Sequence, residues 1–191
     1  MLEFSNLILA SSSERRLSLL KQIGVIPGEV VSPNIDEFIL NKELPKAYSI
    51  RMAREKSIKV KVLYPERFIL SADTVVCCGR RILPKTETEE QAFECIKLIS
   101  GRRHRVYTTV CLYTPDKLHC RTVMTVVKFK RLSMQEINSY IASQQWKGKS
   151  GACNIQGDAG KFILSINGSY SAVIGLPLYE TYSILSQYFS I

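Results

Sequence analysis

Leu7-Ile8-Leu9-Ala10-Ser11-Ser12-Ser13-Glu14-Arg15-Arg16-Leu17-Ser18-Leu19-Leu20-Lys21-Gln22-Ile23-Gly24 reads as a buried strand, a polar turn and a helix. The apolar run Leu7 to Ala10 is of strand length, and Leu17, Leu20 and Ile23 recur at helical spacing on one face. A serine is available to cap the helix, and Gly24 can take the left-handed backbone that ends it. A strand feeding a helix through a short polar turn is the unit from which α/β sheets are built. Its helix N-terminus exposes unpaired N–H groups and concentrates partial positive charge, which suits a phosphate.

Further along, a helix is expected over 47–62, with Pro65 beyond it as a stop. Phe68 to Ala72 reads as an apolar strand reaching Asp73-Thr74, and Val75 to Cys78 turns back at Gly79-Arg80 through Ile82-Leu83 as a hairpin. Thr88 or Thr86 caps a helix running to Ser100, and Val106 to Tyr113 pairs with Thr122 to Phe129 around Pro115-Asp116-Lys117. Ser133-Met134-Gln135-Glu136 is a capping box opening another helix. Phe162 to Ile166 is a strand, Asn167-Gly168 a turn, and Leu178 to Phe189 a last helix after Pro177. Strands alternate with helices but several are joined by hairpins, so the expected fold is α/β with a mixed sheet.

At 191 residues the chain suits a single domain spanning 1–191, and with 46% hydrophobic and 23% charged residues its composition is that of a globular protein. No apolar run is long enough to cross a bilayer, and the N-terminus lacks a basic segment followed by a long apolar stretch, so a cytoplasmic protein is expected. The six cysteines form no repeated spacing and read as reduced thiols, and neither His104 nor His119 stands in a zinc-binding spacing. A formal charge of +9 points to an anionic partner. The basic residues are dispersed and do not alternate with aromatics, which favours a small phosphorylated ligand over nucleic acid or a membrane.

Within this frame several side chains are candidates for chemistry, and local rules leave each open. Arg15 and Arg16 on the first helical turn, with the hydroxyls of Ser11 to Ser13, either grip phosphate oxygens or sit on an ordinary capped helix. Asp73, ending a hydrophobic strand, stands where open α/β sheets bind ligands; it holds a metal, acts as a base or bonds its own backbone in a turn. Lys56 and Lys85 are phosphate-binding ammonium groups or solvated lysines, and Glu37 in Asn34-Ile35-Asp36-Glu37 is a metal-binding or a surface carboxylate. Ile155-Gln156-Gly157 and 167–178 concentrate glycines that permit tight turns or close backbone approach.

Taken in order, Leu9 to Arg16, Ala53-Arg54-Glu55-Lys56, Ala72-Asp73-Thr74-Val75-Val76, Ser100-Gly101-Arg102-Arg103-His104, Gly151 to Gly157 and Gly168 to Thr181 closely resemble the Maf family over nearly the whole chain. The resemblance implies a fold like that of the inosine triphosphate pyrophosphatases, with two lobes around a deep cleft, and hydrolysis of a nucleoside triphosphate to its monophosphate and pyrophosphate. It implies Asp73 as the catalytic residue; Arg15, Thr74 and Gln156 as determinants of substrate choice; Ser11, Arg16, Lys56 and Lys85 as phosphate-binding; and Asp73 with Glu37 as ligands of a divalent cation, Mg²⁺ or Mn²⁺. It also implies a homodimer. The segment around Gln156 resembles the branch acting on dTTP and UTP rather than the one acting on 7-methyl-GTP.

Two departures from the family pattern stand out. Glu14 replaces a proline beside the phosphate site, and Lys149-Ser150-Gly151-Ala152-Cys153-Asn154 replaces a more typical Lys-Ala-Gly-Ala-Tyr-Gly. A catalytically silent nucleotide-binding regulator of cell division would bind nucleotide without releasing pyrophosphate. A nucleic-acid-binding protein would show steeply salt-dependent affinity for polynucleotide and indifference to Asp73.

Overall fold

A computed structural model of the protein describes residues 2–190. The first half of the chain forms β1 (Leu2–Ala10), α1 (Glu14–Gln22), β2 (Val25–Val31), α2 (Pro45–Leu63), β3 (Phe68–Cys78), β4 (Arg81–Leu83) and α3 (Glu89–Ile99). The second half forms β5 (Arg103–Tyr113), β6 (Leu118–Phe129), α4 (Met134–Ala142), β7 (Ile163–Asn167), α5 (Tyr170–Ile174) and α6 (Leu178–Leu185). The strands make one seven-stranded sheet in the order β2-β1-β3-β5-β6-β7, with β4 added to β3. It is mixed, as expected: β1 runs parallel to β2 and β3, while β3, β5, β6 and β7 are successively antiparallel.

α2 covers one face of this sheet. Its buried residues, Tyr48, Ser49, Met52, Ala53, Lys56, Ser57 and Val60, recur every three or four positions, so they form one stripe. Small residues on that stripe let the helix approach closely, and Ser71 Oγ donates to the Ala53 carbonyl at 2.6 Å. On the opposite face there are two apolar cores. One joins β1, α1 and α6 to the first half of β3 through Leu70 and Ala72 and to the second half of β5 through Val110 and Leu112. The other joins α3, α4 and β6 to Val76 and Val106 at the other ends of the same two strands. On this face the register pair Thr74 and Thr108 separates the cores, and the two lobes meet there.

The edge of β3 is interrupted at the same level. Its ladder with β1 ends at the pair Ala10 and Ser71, and its ladder with β4 begins at Val76. Among the described residues no strand pairs with the edge between them, and β5 occupies the other side throughout. Asp73 therefore does not end its strand, as the sequence suggested; it lies in the middle of an eleven-residue strand. What ends beside it is the parallel neighbour β1, so the ligand-binding edge arises from the partner strand stopping.

Several other expectations shift. β2 was not foreseen because it contains Pro27-Gly28, which reads as a turn; as an edge strand it tolerates the proline, and Gly28 is needed where a Cβ would come within 2.5 Å of the Ser5 carbonyl. The helix expected over 47–62 begins at Pro45, whose fixed φ suits a first helical position. Thr88 rather than Thr86 caps α3, and the capping box at Ser133 is present. Thr86 is instead buried, its hydroxyl donating to the Trp146 carbonyl at 3.0 Å. The last helix stops at Leu185 instead of Phe189, and α5 was not anticipated. The reading of all cysteines as reduced thiols is overturned: Cys111 and Cys120 are joined in a disulfide, because the β5–β6 register places them directly opposite one another. Linear spacing does not reveal a cross-strand pair.

Tyr140 ties the loop after α4 to the second core. It is buried, its hydroxyl donates to the Ala152 carbonyl at 2.7 Å and accepts from the Asn154 N–H at 3.2 Å. Tyr140→Phe leaves the packing intact and two backbone groups without this partner, so it is expected to destabilise the fold by about 1–3 kcal/mol in urea denaturation.

Candidate active site

A cleft of about 310 Å³ lies between the lobes, and all nine residues singled out from the sequence line it: Ser11, Arg15, Arg16, Glu37, Lys56, Asp73, Thr74, Lys85 and Gln156. They come from α1 and the turn before it, the segment before α2, α2 itself, β3, the segment after β4 and the loop before β7. The fold brings them together from positions up to 145 residues apart, Ser11 to Gln156.

The acidic end is built on α2. Lys56 falls on the sheet-facing stripe, and its Nζ lies 2.6 Å from Asp73 Oδ1 and 2.7 Å from Glu37 Oε1. Asp73 and Lys56 are both buried, at 5% exposure, so each needs the other: an ammonium or carboxylate removed from water is tolerated only when paired. Glu37 Oε2 meets Lys85 Nζ at 2.6 Å. Burial of Glu37 would raise its pKa, but the Lys56 and Lys85 ammonium groups outweigh that and hold the carboxyl at about 2, so it is ionised at neutral pH. The result is an alternating chain Asp73, Lys56, Glu37, Lys85. Tyr48 Oη donates to the Glu37 carbonyl at 2.8 Å and fixes the backbone there, while Ser49 Oγ donates to the Asp73 carbonyl at 3.3 Å.

The opposite wall is the start of α1. Arg16 is clamped in three directions, Nε donating to the Gly175 carbonyl at 2.9 Å, one Nη to Ser11 Oγ at 3.0 Å and the other to Thr74 Oγ1 at 3.5 Å. Burial lowers its pKa from an ordinary value so high that it stays cationic. Ser13 occupies the N-cap position but its side chain makes no capping hydrogen bond, contrary to the expected serine cap; the Arg16 N–H donates to the Ser13 carbonyl at 3.1 Å, which leaves those of Glu14 and Arg15 for an anion. Glu14 is exposed and outside the cleft lining, so its charge turns to solvent.

The remaining wall includes the segment Lys149 to Asn154 that departs from the family pattern, and Gln156 beyond it. The loop 146–151 is zipped to the segment after β4: Thr86 N–H donates to the Lys149 carbonyl, Gly148 N–H to the Thr86 carbonyl and Gly151 N–H to the Pro84 carbonyl. It delivers Lys149, Cys153, Asn154 and the exposed Gln156 to the cleft. Deeper in, Val76, Val106, Val127, Val173 and His104 make a mostly apolar end. Inward alternation along β5, with Val106, Thr108 and Val110 buried, was the available signal for His104.

Asp73 and Glu37 are two carboxyl oxygen donors meeting at the Lys56 Nζ, and among the described residues no group of three or more His, Cys, Asp or Glu gathers as a protein-only metal cage. That donor set fits Mg²⁺ or Mn²⁺, which are typically held by one or two carboxylates with substrate phosphates and water completing the shell.

A cleft with cations and a helix N-terminus on one side, a buried carboxylate at an open sheet edge on the other and an apolar end is the site of a protein that binds and hydrolyses a phosphorylated small molecule. The model of the family described as Maf-like protein matches residues 6–188, and the chain belongs to that family. It is 83% identical over the whole of both chains to a nucleoside triphosphate pyrophosphatase of Ehrlichia chaffeensis and 78%, again over the whole of both, to one of Ehrlichia canis. It is 63% identical to a dTTP/UTP pyrophosphatase of Wolbachia pipientis wMel, the match covering 97% of this chain and 95% of the relative.

Replacing Lys56 by methionine keeps the stem but strands the buried Asp73 carboxylate, while Glu37 keeps Lys85. The variant is expected to lose about 3–5 kcal/mol of stability at neutral pH, measured by chemical denaturation in the presence of a chelator.

Proposed function

We propose that this chain is a nucleoside triphosphate pyrophosphatase that hydrolyses dTTP and UTP to the monophosphate and pyrophosphate with the help of Mg²⁺ or Mn²⁺. The observation that carries this reading is Asp73, a buried carboxylate held 2.6 Å from the Lys56 ammonium on the unpaired edge of β3, facing the same cleft as the N-terminus of α1. The names of the relatives in Ehrlichia and Wolbachia support the reaction, and those of Wolbachia the choice of nucleotide.

The triphosphate lies against the first turn of α1, where backbone N–H groups, Ser11 and the guanidinium groups of Arg15 and Arg16 meet its negative charge. Lys56 and Lys85, paired with Glu37 in the structure, exchange that carboxylate for phosphate oxygens. Asp73 takes a proton from a water molecule as the water oxygen attacks the α-phosphorus; the bond from that phosphorus to the bridging oxygen breaks, and pyrophosphate leaves with the electron pair. The proton passes from Asp73 to solvent. Held by Asp73 and Glu37, a divalent cation supplies charge neutralisation and Lewis-acid polarisation of the phosphate oxygens. Arg15, Thr74 and Gln156, which line the same cleft, discriminate among nucleotides in this reading.

Pyrophosphate release from dTTP, UTP, CTP, GTP and 7-methyl-GTP, measured with Mg²⁺ or Mn²⁺ beside the Asp73→Asn variant, tests the proposal. Turnover of dTTP and UTP is expected, with kcat lower in the variant by about 10²–10⁴ and KM little changed. Near-normal turnover by Asp73→Asn would remove Asp73 as the base, and preference for 7-methyl-GTP would overturn the substrate.

A further inference from the structure

His104 has no part in the mechanism above, yet it is the most anomalous polar side chain of the cleft. It is 2% exposed, lines the apolar end with Val76, Val106 and Val127, and its Nδ1 is buried with no hydrogen-bond partner. A buried polar atom left unpaired is costly, so a residue of this kind in a pocket wall is satisfied either by water or by what the pocket binds. The ring is held edge-on against Phe129, centroids 5.5 Å apart, which leaves it little freedom to turn elsewhere. Burial depresses its pKa to about 4, so at neutral pH it is an uncharged imidazole with one N–H donor and one acceptor nitrogen.

Its position gives that donor and acceptor a purpose. His104 lies on β5 four residues before Thr108, whose side chain bonds Thr74 Oγ1 at 3.2 Å, and on the same sheet face. At about 3.3 Å per residue this is about 13 Å along the strand from the Thr74 level, where Arg16 is also anchored. A ligand whose phosphates engage Arg16 and the start of α1 extends its uncharged part away from those cations, past Thr74 and towards the valines and His104. A flat, weakly polar ring with hydrogen-bonding edges matches that environment; a charged group does not, since nothing there compensates it.

We infer that His104 is a specificity-determining residue that hydrogen-bonds the edge of the pyrimidine base in the apolar end of the cleft. The inference rests on the proposed pyrimidine triphosphate pyrophosphatase activity. A structural role is the competing explanation, and stability separates the two. An unpaired imidazole kept for packing would make His104→Leu destabilising, whereas one kept for the ligand makes it neutral or stabilising, because the replacement is apolar and of similar bulk.

The experiment compares the native chain with His104→Leu and His104→Gln, measuring kcat and KM for dTTP, UTP and CTP, inhibition by inorganic tripolyphosphate and thermal unfolding. For His104→Leu the expected result is a fall of about tenfold or more in kcat/KM on dTTP and UTP, chiefly through KM, with a narrowed preference over CTP. Inhibition by tripolyphosphate, which occupies only the phosphate half, is unchanged, and Tm is equal or higher. His104→Gln, which keeps a donor and an acceptor, recovers part of the loss. Unchanged discrimination among the three nucleotides, or a fall in Tm with parallel loss of tripolyphosphate inhibition, would overturn the inference while leaving the pyrophosphatase reading intact. A native chain that cleaves none of the nucleotides overturns both.

Discussion

Lys56 sits on the sheet-facing stripe of α2, a place where an ammonium group is stable only if its charge is met. Asp73 and Glu37 meet it at 2.6 and 2.7 Å, and the buried Asp73 carboxylate has its charge met there in turn. The remainder of the site follows from this buried junction. It joins the helix on one face of the sheet to the middle of β3 and to the segment preceding α2, and it sets a carboxylate at the only part of that strand edge left between the β1 and β4 ladders. Attraction between Lys56 and Asp73 is strong because water is largely excluded from them, and separating these two would expose each to the cost of an unpaired buried charge.

The interrupted edge of β3 also divides the cleft's labour. On the α2 side of the strand, Asp73 faces Lys56; on the other side, Thr74 and Thr108 mark the boundary between two apolar cores, and Thr74, bonded by Thr108, accepts from Arg16. In the proposed function a triphosphate would engage both sides by passing round the edge, with the chemistry and the recognition of the remaining ligand assigned to successive residues of one strand whose side chains alternate. The rigidity this demands comes from β3 and β5, which pair over Ile69 to Cys77 and run through both lobes.

Much of this was legible in the sequence where local pattern and position agree. The strand, turn and helix at the N-terminus, the capping box at Ser133 and the mixed sheet follow from periodicity and capping chemistry, and the motif residues from Ser11 to Gln156 do line one cleft. What pattern could not supply was pairing. Whether Asp73 ends a strand depends on where β1 stops; whether Cys111 meets Cys120 depends on hairpin register; whether Lys56 is solvated depends on which residues face α2 from the sheet. β2 was hidden by Pro27-Gly28, whose turn-like chemistry is accommodated only because the strand is at the edge. His104 ends a family motif and stands in no zinc-binding spacing, but its place in the cleft wall appears only once β5 and β6 are paired.

In the proposed reaction, water activated by Asp73 attacks the α-phosphorus directly. A single turnover of dTTP in ¹⁸O-labelled water, with the products separated and weighed by mass spectrometry, tests this most directly. One labelled oxygen in the monophosphate and none in the pyrophosphate is the predicted result. Label in the pyrophosphate would place the attack on the wrong phosphorus, and an unlabelled monophosphate with unlabelled pyrophosphate in the first turnover would mean that an oxygen of the protein, not water, had made the bond.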